Sequence, residues 1–195
     1  RVIIGGPEDI MLKDGEVMSK SRGNTVDPDE VLSKYGADTL RMFILFAAPP
    51  EDQLEWNIDG LEGCWKFLNR IYQMVEKRYG TYEGINPLIE KPHGPEEQLL
   101  ERERNVAIKK IAMSFDEGYK FNTAISHIMV LANAIDKYKK NNTVLDQSIE
   151  TIVLLLAPFA PHMAEELWQM MGKRAKTIRH VGWRAINGAD AVQRR

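Results

Sequence analysis

The feature that most constrains this chain is a series of long apolar patterns with helical period, separated by short breaks rich in Gly and Pro. The strongest spans 61 to 79, where Leu61, Cys64, Trp65, Leu68, Ile71, Tyr72, Val75 and Tyr79 recur on one side. Gly80 to Gly94 is a Gly- and Pro-rich linker, and three further helical patterns follow. They cover about 95 to 117 (Leu99, Val106, Ile111, Phe115), about 122 to 140 (Ile125, Ile128, Leu131, Ala132, Ile135, Tyr138) and about 145 to 157. Pro158-Phe159-Ala160-Pro161 bends the chain into a last helix ending near Gly172. Amphipathic helices joined this closely must bury their apolar stripes against one another, which predicts an antiparallel bundle of four to five helices.

Two shorter helices are expected ahead of the bundle. Asp27-Pro28-Asp29-Glu30 combines an N-cap, a first-turn proline and an acid placed to complete a capping box, so a helix should run from 28 to about 35 and end at Gly36. A second should span Ala37 to Ala47, with Leu40, Phe43 and Ile44 inward, stopped by Pro49-Pro50. The loop 51 to 59 has Trp56 as its large anchor. Residues 1 to 27 are the least helical part, with short strand candidates at 2 to 4, 10 to 12 and 16 to 18 and little core of their own. From 173 onward a basic tail without sustained period is expected to be loose. The chain is thus predicted mainly α, divided into 1–27, 28–60, 61–172 and 173–195.

Composition narrows the setting. The longest apolar run, Ile152 to Ala160, is broken by Pro158 and is too short for a bilayer. The single cysteine, Cys64, excludes an intramolecular disulfide or a cysteine-cluster zinc site, and its place on an apolar arc predicts a buried small hydrophobe. No metal site is expected, and a reducing cytoplasm fits best. A net charge of −2 means that a polyanionic partner must meet a locally segregated basic surface. Lys66, Arg70 and Lys77 line up opposite the apolar arc of 61 to 79 and supply such a stripe. Every amphipathic helix also needs a polar face, and Glu62 and Glu76 flank this one, so a merely solvated face remains the competing reading.

The run Val17-Met18-Ser19-Lys20-Ser21-Arg22-Gly23-Asn24 resembles the KMSKS loop of class I aminoacyl-tRNA synthetases. In family order follow Val26-Asp27-Pro28, Tyr35-Gly36-Ala37-Asp38-Thr39-Leu40-Arg41, Leu54-Glu55-Trp56 and the segment Leu156 to Trp168, which resembles the closing helices of the anticodon-binding bundle. Leu12-Lys13-Asp14-Gly15 and Phe46-Ala47-Ala48-Pro49-Pro50 point to the leucine member, with the isoleucine and valine members as the nearest alternatives. The resemblance covers about 10 to 172.

It implies a catalytic-domain remnant bearing an ATP-phosphate loop, connective helices and a bundle that docks leucine tRNA. Lys20 matches the motif's second lysine and would steady charge on the phosphates of ATP, with Met18, Ser19 and Ser21 as loop neighbours and magnesium accompanying the nucleotide. Val17 stands where the motif's first lysine is usual. The partner His-x-Gly-His signature does not occur in these 195 residues, and His93-Gly94 lies in a Pro-flanked linker, so the segment is expected to be inert without a complementary catalytic domain. A stand-alone helical tRNA-binding or assembly protein is the alternative from a different functional class. His162 is expected to be a turn or helix-start residue, and Trp56, Trp65 and Trp168 to serve in packing.

Overall fold

In a computed structural model of the chain, residues 18, 21, 23–49, 52, 54–80, 94–172 and 178 are described. Among them there are seven helices and no strand: α1 (Pro28–Tyr35), α2 (Ala37–Ala47), α3 (Ile58–Tyr79), α4 (Pro95–Asp116), α5 (Phe121–Lys137), α6 (Thr143–Leu156) and α7 (Pro161–Met170). The strand candidates lie outside the described residues except at Met18, which is exposed and in no regular element.

Local chemistry sets most of the ends. Asp27 accepts the amide of Asp29 at 2.9 Å and Pro28 opens α1, so the expected N-cap forms without the reciprocal capping box through Glu30. Gly36 ends α1 at a φ of 82°, a left-handed conformation that a side chain would strain, and its amide closes on the Leu32 carbonyl. Asn57 caps α3 by accepting the amides of Asp59 and Gly60, so that helix begins three residues before the expected Leu61. At α4 the Glu97 carboxylate reaches back to the Gly94 amide. Asn142 caps α6 through the Leu145 amide.

α4, α5 and α6 pack mutually, α7 joins α6 to α3, and α2 lies against α3, α5 and α7. The core runs continuously through them, with Met42, Phe43, Leu61, Leu68, Ile71, Ile111, Ile125, Ile128, Leu131, Ile152 and Phe159 almost fully buried. Trp56 anchors its loop as expected, edge-on to Phe43 at 5.3 Å between ring centroids. At the far end, the Arg78 guanidinium meets the Asp146 carboxylate at 2.6 and 2.9 Å, and the Tyr79 hydroxyl donates to the same carboxylate. These bonds tie the end of α3 to the start of α6.

Several inward faces differ from expectation. Ile44 is about half exposed, and Thr39 and Met42 take the core side of α2 with Phe43. On α3, Phe67 is buried while Trp65 is exposed. On α4, Leu100, Ala107, Ile111 and Ser114 face inward, and Leu99 and Val106 are exposed. On α2 and α4 the inward set is largely the expected one shifted by a single residue, which turns the helix face by about 100°, so packing partners choose between two adjacent arcs. In the tail, Ile178 is buried and its amide donates to Glu165 at 3.0 Å, so at that residue the chain is held against α7.

Candidate RNA interface

Two surfaces carry the residues with chemical potential. The first is the loop before α1. Met18 and Ser21 are both exposed, while Ser19 and Lys20 lie outside the described residues. Gly23 has a φ of 66° and nothing within 4 Å of where a Cβ would stand, so the backbone beside the motif is open to close approach by a ligand. Among the described residues no cluster of three His, Cys, Asp or Glu could hold a metal ion.

The second surface is α3. Lys66 and Arg70 come together on a groove of about 500 Å³ between α2, α3 and α5, lined also by Phe46, Gly63, Phe67 and Met129. Lys66 is well exposed and only loosely paired, its Nζ lying 3.6 Å from Glu62. Arg70 is held more firmly: its guanidinium lies 5.4 Å from the centre of the Phe67 ring, and its Nε sits 3.6 Å from the Asp136 carboxylate of α5. That Nε is shielded from water and has no hydrogen-bond partner among the described residues. Lys77 is exposed on the same helical face two to three turns from the others. The stripe is therefore real as a face, with Lys66 and Lys77 projecting and Arg70 partly committed to α5.

Cys64 is buried beneath this groove, and burial pushes its thiol from 9.0 up to about 11, which suits the expected packing role.

Sequence reading assigned no role to two residues that the fold uses to join distant segments. Asp38, in the first turn of α2, accepts the Met163 amide at 2.7 Å and faces the His162 Nδ1 at 2.9 Å, capping α7 from outside. Arg41 donates from Nε and Nη2 to the Pro158 carbonyl at 3.3 and 3.1 Å. Both belong to the run from Tyr35 to Arg41, and their partners belong to the run from Leu156 to Trp168. His162 is the second residue of α7, as expected of a helix-start residue.

The two runs that these bonds join fall in stretches that match known families. Residues 8–57 match the family model "tRNA synthetases class I (I, L, M and V)", and residues 97–192 match "Anticodon-binding domain of tRNA ligase". The chain belongs to the class I tRNA synthetases. Within that class its relatives are of one kind. It is 41% identical over 188 residues to a leucine–tRNA ligase of Geotalea daltonii, covering 94% of this chain and 23% of the relative. It is 43% identical over 174 residues to that of Fervidobacterium nodosum, covering 87% of this chain and 21% of the relative. Among solved structures it matches the ternary complex of Agrobacterium radiobacter K84 agnB2 LeuRS with tRNA and LeuAMS, at a TM-score of 0.71 and 31% identity, covering 83% of this chain and 21% of that one. The chain is a segment of the leucine–tRNA ligase type and spans about a quarter or less of the length of the relatives it matches. The anticodon-binding match runs to 192, so the resemblance extends into the tail beyond the expected limit near 172.

Proposed function

We propose that this segment contributes the ATP-phosphate loop and the tRNA-docking bundle to ATP-dependent ligation of leucine to its tRNA. The observation that carries the reading is the tie between its two halves. Asp38 and Arg41, downstream of the loop, hydrogen-bond into the α6–α7 elbow and so fix the connective helices to the bundle. Connective helices fixed to an RNA platform give the segment that precedes them a defined point of attachment, which supports a role in bringing a nucleotide and a tRNA to the same reaction.

In this reading 1–27 closes a catalytic domain, 28–60 connects, 61–172 is the bundle and 173–195 a basic extension. Lys20 is the catalytic cation, with Met18, Ser19 and Ser21 shaping the loop around it. ATP, bound with magnesium, would supply the phosphoanhydride whose α-phosphorus the leucine carboxylate attacks, forming leucyl adenylate as the α–β bond breaks and pyrophosphate leaves. The lysine ammonium offsets charge gathering on the departing pyrophosphate. Lys66, Arg70 and Lys77 face tRNA phosphates and position the RNA with little sequence reading, so that any preference for the leucine tRNA comes from its shape. In this reading the setting is the cytoplasm.

The test is fluorescence anisotropy of the 195-residue chain titrated with leucine tRNA and with an unrelated tRNA, at two salt concentrations. Salt-sensitive binding that favours the leucine tRNA is the expected result. Absence of binding at low salt would remove the docking role from this segment.

A further inference from the structure

Trp65 is the one expected core residue of α3 that the fold leaves about two-fifths exposed, and it stands over a second groove. This groove, about 380 Å³, opens between the α1–α2 corner, α3 and the start of α7, and is lined by Tyr35, Asp38, Trp65, Leu68, Asn69 and His162 among others. Neither family model's matched range includes α3. We infer that the Trp65 groove is a stacking subsite for a single unpaired nucleotide of the bound tRNA. The inference rests on the tRNA-docking reading above.

Three features point to a nucleobase in preference to a phosphate or an apolar peptide. The first is the aromatic face itself. A half-exposed indole, sharing the groove lining with the almost fully buried Leu68, offers a flat surface on which any base can stack.

The second is charge. Lys34 lies 4.8 Å from the Tyr35 ring centre, which places one cation beside the aromatic lining of the groove. The local acids are already engaged. Glu62 accepts the Tyr35 hydroxyl at 3.2 Å and pairs with Lys66, while Asp38 holds the Met163 amide and His162. The rim is thus close to neutral, which suits a base, while the Lys66-to-Lys77 stripe next to it suits the backbone on either side.

The third is Asn69. Its amide donates to the Trp65 carbonyl at 3.0 Å, which fixes the side chain beside the indole and leaves its oxygen as an acceptor for a base N–H. The groove lies at the small end of the roughly 300–1,000 Å³ range of ligand sites, enough for one nucleotide and too small for a duplex segment.

The experiment compares the 195-residue chain with Trp65→Phe and Trp65→Ala in binding leucine tRNA across a salt series. Removal of one stacked base predicts affinity roughly 5- to 150-fold weaker in Trp65→Ala, with the salt slope unchanged and most of the affinity restored in Trp65→Phe. Wild-type affinity in Trp65→Ala overturns the subsite and leaves tRNA docking intact, whereas a wild-type chain that binds no tRNA overturns both.

The emission difference between wild type and Trp65→Phe isolates this indole from the other three tryptophans and does not depend on the alanine variant folding. Quenching of that difference by tRNA is expected. Its absence in a chain that binds tRNA overturns the subsite. So does a change in it that depends on protein concentration without RNA, which would mark the groove as a contact between copies.

Discussion

Replacing Asp38 tests how the two halves of the segment are joined. Its carboxylate is 12% exposed and makes two contacts of unequal worth. The bond from the Met163 amide, 2.7 Å long, is charge-assisted, partly buried and located where α7 would otherwise leave a first-turn donor unsatisfied. Such a cap contributes about 1–2 kcal/mol, and an unsatisfied amide adds to the loss. The contact with His162 involves a ring that is 77% exposed, where water and entropy reduce a pair to about 0–1 kcal/mol. The Met163 bond therefore dominates. Asp38→Ala should lower stability by about 2 kcal/mol, or about 4–8 °C in Tm for a chain of this size, read by urea and thermal unfolding followed by circular dichroism. Asp38→Asn keeps an acceptor oxygen for the amide and should lose about half as much, while His162→Ala should lose under about 0.5 kcal/mol. If His162→Ala cost as much as Asp38→Ala, the ranking of these two contacts would be wrong. An Asp38→Ala variant as stable as the wild type would mean that α7 is fixed by its apolar face alone.

Three further outcomes follow from the sites. In the complete enzyme, Lys20→Ala should slow adenylate formation by roughly 10²–10³-fold while leaving leucine binding nearly intact, measured by pyrophosphate exchange and by leucine titration. Unchanged turnover would sink the assignment of Lys20. Changing Lys66, Arg70 and Lys77 together to Glu should weaken tRNA binding and reduce its salt slope by up to about 3, one for each phosphate that a cation no longer neutralises. An unaltered slope would identify the stripe as a solvated face. Because burial raises the Cys64 thiol from 9.0 to about 11, the folded chain at pH 8 should hold roughly a hundredth of the ordinary thiolate and label slowly with iodoacetamide, with rapid labelling in denaturant. Equal rates in both conditions would contradict its burial.

Helix ends are far more legible in the sequence than helix faces. Pro28, Gly36, Pro95 and Pro161 act on the backbone within one turn, so their effect needs no knowledge of the rest of the fold. Asn57 leaves no such mark, because an Asn in a loop becomes a cap only if the next residues turn, and Ile58, about half exposed, extends the helix beyond the apolar pattern. Faces depend on neighbours. On α4, the pairs Leu99/Leu100 and Val106/Ala107 offer two arcs of similar hydrophobicity, and packing against α5 and α6 selects the second. The site follows the same division. The Lys66, Arg70 and Lys77 face can be read from spacing, but Asp136 beside Arg70, distant in sequence on α5, leaves no local trace.

The same distinction bears on what a family motif signifies. Asp38 and Arg41 are charged residues in a recognisable run, a combination that invites a ligand-binding interpretation. Their polar atoms are instead occupied by an amide and a carbonyl of the α6–α7 elbow, more than a hundred residues away in sequence. Two motifs widely separated in the chain are thus the two sides of one joint. Trp65 shows the reverse. It sits in an apolar helical pattern that invites a core interpretation, yet its ring is partly exposed while the nearby Phe67 and Leu68 fill the interior. Charge committed to backbone partners belongs to the architecture, whereas aromatic surface left in water beside a groove remains available for a ligand. On that criterion the surface open to a ligand among the described residues lies on the outer faces of α3, and the signature residues of α2 and α7 keep α2 fixed against the α6–α7 elbow.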